Sequence, residues 1–338
     1  MKKDSINYLV IGDINIDIMM QADEYPPEGG EIVTANTSFR LGGSGCNTAV
    51  CLSKLGVQTH LVGCTGSDPL GEVAAEKMDQ ANIEKDFLSR SEDYQTGFFL
   101  ILTSKSGNRT MFGNRGSNRI PPDPDRIIPR LSEFDGIHLS GYTLIDQQQA
   151  EAILKIITAA LPYKPVISLD PGYFTFHHAK ERLINFLPFL DYFLPSEDEL
   201  EQWDKNQPEQ AILQELFGYG VKNIIVKRGS KGSEWITKDG CFSAEAFQDP
   251  QYLIFDTTGA GDCLNAGFLF SSFHQLPQTT CLRFGNLLAY KAITSPLGIE
   301  SIRTSKSIKN ELHSFMIMLQ DVAGLEIFSA LFNESCLD

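Results

Sequence analysis

The chain has 338 residues, 42% hydrophobic and 21% charged, an ordinary globular balance with enough apolar residues for a sizeable core. Its 43 acidic and 28 basic side chains leave a formal charge of −15. That balance argues against a nucleic-acid backbone as partner, which favours basic clusters, but leaves room for a small anion held by a few local groups. No run reaches membrane-spanning length, and the start "MKKDSINYLVIGD" lacks the apolar region of a signal peptide. Seven scattered cysteines without a CxxC pair form neither a disulfide framework nor a zinc site, so a reducing, cytoplasmic setting is expected.

In chain order, "INYLVIG" (6–12) reads as a short buried strand stopped by glycine. "NTAVCLSKLG" (47–56) alternates at helical spacing and stops on Gly56; "THLVGCTGSD" (59–68) is a strand, and "PLGEVAAEKMDQAN" the next helix. "FDGIHLSGY", "PVISLDPG", "DYFLPSEDEL" and "NIIVKRGSKG" each place an apolar run before polar or glycine residues, mostly with helical segments between. This alternation predicts an α/β fold: a doubly wound, mainly parallel sheet flanked by helices. Two segments interrupt it. Residues 15–38 are rich in turn formers, and 95–120 read as a hairpin with "KSGN" as its turn. They predict a small antiparallel β lid on a core of residues 1–14, 39–94 and 121–338. The "FFLIL" run in that hairpin is too apolar to leave in water, which predicts homodimerisation through the lid. From 303 onward the apolar pattern is helical and suggests a tail packed on the core.

Ligands of parallel α/β sheets gather at the carboxyl ends of the strands. This selects Asn15 and Asp17, the "GGSGCN" turn (42–47), Asp170, Ser196–Glu199, "RGSKG" (228–232) and "GAGD" (259–262). In the last, the amides of Gly259, Ala260 and Gly261 can face one anion at a helix start, and Asp262 is placed to take a proton from an attacking alcohol. Alone, the pattern favours a helix cap on a glycine turn. A second glycine turn feeding a helix, "LGGSGCNTAVCLSKLG" (41–56), makes the combination far more specific.

Together, "GGSGCNTAV" and "DTTGAGDCLNAGF" resemble the two signatures of the ribokinase-like, or phosphofructokinase B, family of carbohydrate kinases, over roughly residues 6 to 302. The resemblance implies an α/β core with a β lid and ATP-dependent phosphorylation of a hydroxymethyl group. It also implies Asp262 as catalytic base, Gly259, Ala260 and Gly261 as anion hole, and Asn15, Asp17, Gly43 and Asn47 as substrate contacts. "PSEDEL" resembles the family's NxxE element: Glu199 takes the position that organises Mg²⁺ through water, and Ser196 replaces the usual Asn. Lys227, Gly229, Ser230 and Gly232 match the nucleotide loop, and Asn286 falls where adenine is contacted. Asp256, Thr258 and Gly298 match a site for a monovalent cation such as K⁺. Implied cofactors are therefore ATP and Mg²⁺, with K⁺ where that last site is used.

Ser44 stands where ribokinase-type members often carry Lys, which speaks against ribose in particular. Arg109 and Arg115 sit where the resembled family's lid reaches over the sugar, and fructokinase-like and ketodeoxygluconate-kinase-like members often show an arginine near Arg115. Such an arginine holds a hydroxyl or an acid group, or is simply solvated. A small-molecule sugar is the expected substrate. The alternatives are a nucleoside (adenosine-type) kinase and a catalytically silent sugar-binding regulator that kept the fold.

Overall fold

A computed structural model describes residues 6–22, 25–34, 36–104, 109–247 and 253–302; the expected turn at 105–108 and the tail from 303 lie outside the described residues. β1 (Asn7–Ile11) is the strand that its apolar run predicts, and its last four residues are buried. Alternate side chains enter two different cores: Tyr8 and Val10 on one face of the sheet, Leu9 and Ile11 on the other. The chain then makes an excursion through β2 (Asn15–Ala22) and β3 (Thr37–Gly42). It returns by α1 (Ser44–Lys54) to β4 (Gln58–Gly66), and by α2 (Pro69–Gln80) to β5 (Leu88–Ser91). A second excursion, β6 (Gly97–Ser104) and β7 (Arg109–Asn114), precedes α3 (Pro124–Ile127) and β8 (Gly136–Ser140).

The second half keeps the alternation. It runs through α4 (Gln147–Ala160), β9 (Val166–Asp170), α5 (Tyr173–His178), α6 (Lys180–Ile184) and β10 (Tyr192–Phe193). It continues with α7 (Glu197–Glu201), α8 (Glu209–Gly218) and β11 (Asn223–Lys227). β12 (Ser233–Ile236) and β13 (Cys241–Ala244) follow, then α9 (Ala260–Phe273) and α10 (Gln278–Ile293).

Among the described residues, nine strands form one sheet in the order β13-β12-β11-β10-β9-β8-β1-β4-β5. It is parallel from β5 to β11, with β12 and β13 added antiparallel at one edge. From β1 the chain winds outward to β4 and β5 on one side and to β8, β9, β10 and β11 on the other. The crevice beyond the carboxyl ends of β1 and β8 is therefore the topological switch point, where such sheets bind ligands. Helix α9 is buried from Cys263 to Ser271, Asn265 included, because it packs between α1 and α10 on one face of the sheet. α4 and α8 cover the opposite face through Ile153, Ile156, Ile157, Ile212 and Leu216.

The two excursions meet in a four-stranded sheet ordered β3-β2-β6-β7, in which β2 and β6 run parallel and the outer pairs antiparallel. β3 continues past residue 38 to Gly42, so this small sheet reaches the first glycine turn itself. Of the "FFLIL" run, Ile101 is buried and its neighbours are half-buried. Phe39, Met111 and Phe112, on the edge strands β3 and β7, are the exposed apolar side chains of this sheet.

The turn after β3 requires glycine. Gly43 has φ +97, and a Cβ there would lie 2.1 Å from the carbonyl oxygen of Asp13. Gly43→Ala is expected to cost about 2–4 kcal/mol, from strain at positive φ plus displacement of the strand-end backbone. Urea unfolding of the two proteins checks this; equal midpoints would contradict it.

Candidate active site

Both glycine turns end as helix caps facing one cleft. Gly43 caps α1, and Gly259, left-handed at φ +76, caps α9. The cleft encloses about 570 Å³ and is lined by Ser44, Tyr142, Asp170, Ser196, Glu199, Lys227, Gly229, Ser230, Gly259, Gly261 and Asp262. Asp262, in the first turn of α9, accepts hydrogen bonds from Ser44 Oγ and Asn47 Nδ2, each 2.8 Å long. Burial, reinforced by the nearby charge of Asp170, pushes its carboxyl up to about 7, against the opposing pull of the Asn47 and Ser44 hydrogen bonds and of Lys227. Ala260 N–H is directed at Thr257 O, 3.3 Å away. The amides of Gly261 and Asp262 belong to the helix's open first turn.

Lys227 closes the other side of this turn. It ends β11, and its Nζ donates to Asp170 Oδ2 at 2.6 Å. Asn265, one helical turn past Asp262, donates to the same oxygen, and Gly172 N donates to Oδ1 at 3.2 Å. A Cβ on Gly261 would lie 3.5 Å from Lys227 Nζ, which places the ammonium against the first turn of α9. Burial opposes both charges. Their mutual attraction prevails: Lys227 is held above the usual lysine range and Asp170 below the usual carboxylate range. Tyr142, in the turn after β8, is pushed up by burial and by the Glu199, Asp170 and Asp262 carboxylates.

The polar residues after β1 lie beneath the small sheet. Asn15 Oδ1 accepts from Asn118 Nδ2 at 2.8 Å, and Asn118 also exchanges hydrogen bonds with the Ile14 backbone, so it orients the "GDIN" segment. Asp17 is buried, and desolvation together with the Asp256 charge pushes its carboxyl up to about 7 despite Arg40. A Cβ on Gly42 would strike the Asp17 carboxylate at 2.4 Å. Arg115 is not directed at open space. Its guanidinium grips Asp13 through Nε and Nη2 (3.2 and 3.1 Å) and also donates to Asn118 O and Gln149 Oε1. The side chain of Arg109 lies outside the described residues.

Other expected residues take more structural places. Ser196 and Glu199 form a reciprocal capping box: Ser196 Oγ accepts from Glu199 N, and Glu199 Oε2 accepts from Ser196 N. Both line the cleft, with Glu199 pushed up by burial. Gly229 (φ +55) and Ser230 also face the cleft, whereas Gly232 (φ +103) makes the β11–β12 turn, where a Cβ would meet Ala244 O at 2.0 Å. Asn286 is buried, and its Nδ2 donates to the carbonyls of Ala244 and Glu245, which anchors the segment after β13. Asp256, Thr258 and Gly298 are brought together, with the Arg40 guanidinium among them.

Sequence reasoning passed over Ser44 as a ligand of Asp262, and over Asn265, Asn118, Tyr142 and Arg40. The signal for Ser44 and Asn265 was their place in the two glycine motifs; the others offered none. Among the described residues no group of three or more His, Cys, Asp and Glu could hold a metal ion, the six cysteines are free, and no helix is long and apolar enough to cross a membrane.

Residues 6–305 match the model of the pfkB family of carbohydrate kinases. The chain is 27% identical over 313 residues to a ribokinase of Arabidopsis thaliana, covering 89% of this chain and 79% of that protein. It is 25% identical over 264 residues to a 2-dehydro-3-deoxygluconokinase of Haemophilus influenzae, covering 73% and 84% respectively. Its fold superposes with TM-score 0.78 and 20% identity on a ribokinase II structure from E. coli in complex with ATP and Mg²⁺, covering 92% of this chain and 99% of that one.

The buried Lys227–Asp170 pair generates a stability prediction. Asp170→Ala strands an ammonium in the interior and is expected to cost about 3–5 kcal/mol in urea unfolding, whereas Asp170→Leu combined with Lys227→Met recovers most of that loss. A single variant as stable as the parent would contradict a charged pair.

Proposed function

Since the chain belongs to the pfkB family of carbohydrate kinases, we propose that it transfers the γ-phosphoryl group of ATP to a hydroxymethyl group of a small carbohydrate. The observation that carries this reading is Asp262: a buried carboxylate with a raised proton affinity, fixed by Ser44 and Asn47 beside an open helix turn and a buried ammonium. A carboxyl near 7 is ionised often enough to take the proton of the acceptor hydroxyl and basic enough to hold it. The first turn of α9 supplies amides, and Lys227 a fixed cation, to the charge on the phosphoryl group in transit.

Asn15 and Asp17 are the proposed ligands of the acceptor's hydroxyl groups, supported by their placement after β1 and next to the Gly43 turn. Asn47 acts on the acceptor indirectly, through Asp262. Ser196, Gly229 and Ser230 line the part of the cleft assigned to the nucleotide. Glu199, with Glu197 and Asp198 on the same wall, would hold Mg²⁺ through water, and the ion would supply positive charge to the phosphates. Arg115 keeps the small sheet seated on the core through Asp13. Exposed Phe39, Met111 and Phe112 support pairing of two copies through that sheet.

Two measurements test the reading. Asp262→Asn is expected to lower kcat by about two to four orders of magnitude with unchanged circular dichroism, in an ADP-release assay across ribose, fructose, ketodeoxygluconate and nucleosides. Turnover near that of the parent, or no acceptor-dependent ADP release by the parent, would overturn it. The pH dependence has a definite sign. Protonated Asp262 cannot accept the hydroxyl proton, so kcat/KM falls as pH drops through about 7 and levels off above it.

A further inference from the structure

A cation of the protein's own stands against the loop that leads into the Gly259 turn. Arg40 lies on β3 of the small sheet, directly across from Asp17 in β2. Its Nη2 donates to Pro296 O at 2.7 Å, and its Nη1 lies 3.7 Å from Asp256 Oδ2. A Cβ on Gly298 would sit 3.3 Å from the same Nη1.

The Asp256 carboxylate and the carbonyls of Pro296 and Gly298, oxygens that a cation at this position would draw on, are already engaged. Asp256 Oδ1 accepts from Thr258 N (2.9 Å) and Thr258 Oγ1 (2.7 Å), and its Oδ2 faces Arg40. Pro296 O takes Arg40, and Gly298 O accepts from Ser301 Oγ at 2.6 Å. The turn is also pinned from below, where Lys54 Nζ donates to Glu300 O at 3.0 Å. The residues present do not fit K⁺ at this position.

We infer that Arg40 is a tethered replacement for the monovalent cation, a positioning residue that holds the 256–258 loop, and with it the Gly259 turn, through its guanidinium. It carries the same single charge, and its guanidinium donates to a carbonyl while standing at ion-pair distance from a carboxylate, an arrangement that a spherical ion matches only by gathering a shell of oxygens. Because Arg40 belongs to β3, placing the small sheet over the cleft and placing the cation are one event. The inference rests on the kinase reading for its consequence, but its physical core is separately measurable.

The experiment compares the parent with Arg40→Ala and Arg40→Lys in K⁺ or tetramethylammonium buffers at a constant ionic strength of about 0.15 M. Two readouts are used: melting temperature, and phosphoryl transfer to whichever acceptor the parent uses. The parent is expected to be indifferent to K⁺ in both. Arg40→Ala is expected to lose about tenfold or more in kcat/KM, and to regain both activity and melting temperature with added guanidinium or K⁺. Arg40→Lys, which keeps the charge without the planar fork, is expected to fall between them. Several-fold stimulation of the parent by K⁺, or an Arg40→Ala protein whose melting and turnover respond to neither cation, would overturn the inference. If the parent phosphorylates nothing, the kinase reading fails, and the melting response of Arg40→Ala to guanidinium and K⁺ still decides this one.

Discussion

Asp262 accepts hydrogen bonds from Ser44 and Asn47, and through that one carboxylate two helix starts, separated by 218 and 215 residues in sequence, are joined. Much of the site follows from this junction. It draws α1 and α9 together over the end of β1, where burial raises the proton affinity of Asp262 against the pull of the two hydrogen bonds themselves. It also directs the open first turns of both helices into the same cleft. The packing beneath enforces the approach: Gly12 and Gly45 face each other so closely that a Cβ on either would lie within 2.7 Å of the other's Cα. Larger residues there would separate β1 from α1 and pull Ser44 and Asn47 away from the carboxylate.

The second constraint is charge. A chain with net charge −15 repels a polyphosphate at long range, so whatever holds one must act locally. The interior does this with a cation kept charged by a partner. Lys227 is buried beyond what an isolated ammonium tolerates, and Asp170, itself anchored by Asn265 and Gly172, keeps it protonated. Asn265 and Asp262 lie on the same helix one turn apart, so α9 carries the proposed base and orients the counter-ion of the proposed phosphate ligand. Displacing α9 would disturb both functions together.

What could be read from the sequence follows a physical rule. Gly43 and Gly259 were legible because positive φ and close backbone approach leave glycine as the natural choice, and Asp262 because of its fixed distance from such a turn. Most of the parallel strands were legible from their apolar runs; β5, with the sequence LSRS, has none and was not. Side-chain partners far away in sequence were not. Asn47 reads equally as a substrate ligand and as a donor to Asp262, because a carboxamide does not name its acceptor. Arg115 looks the same in sequence whether it reaches a sugar or, as here, Asp13 at a separation of 102 residues. Asn286 and Ser196 have donors and acceptors suited to a nucleotide, yet folding directs Asn286 Nδ2 and Ser196 Oγ to the protein's own backbone. The β12–β13 hairpin escaped notice because strands of four residues are too short to show a period.

The inferred role of Arg40 shows how one built-in cation alters the logic of a whole site. A diffusible cation must be drawn from solution, and its occupancy depends on concentration. A guanidinium built into β3 is present at an effective concentration set only by the geometry of the small sheet. The two arrangements differ in coupling more than in charge. With a free ion, the Gly259 turn could be organised while the small sheet stands away from the core. With Arg40, the turn, the Asp256 carboxylate and the strand opposite Asp17 are linked through one side chain. Ordering of the anion turn and covering of the acceptor residues then draw on the same interaction, so a displaced sheet loses both at once. On the inferred role of Arg40, a transferase that must avoid spending its nucleotide on water would benefit from that link, because the turn would be complete only with the cleft covered.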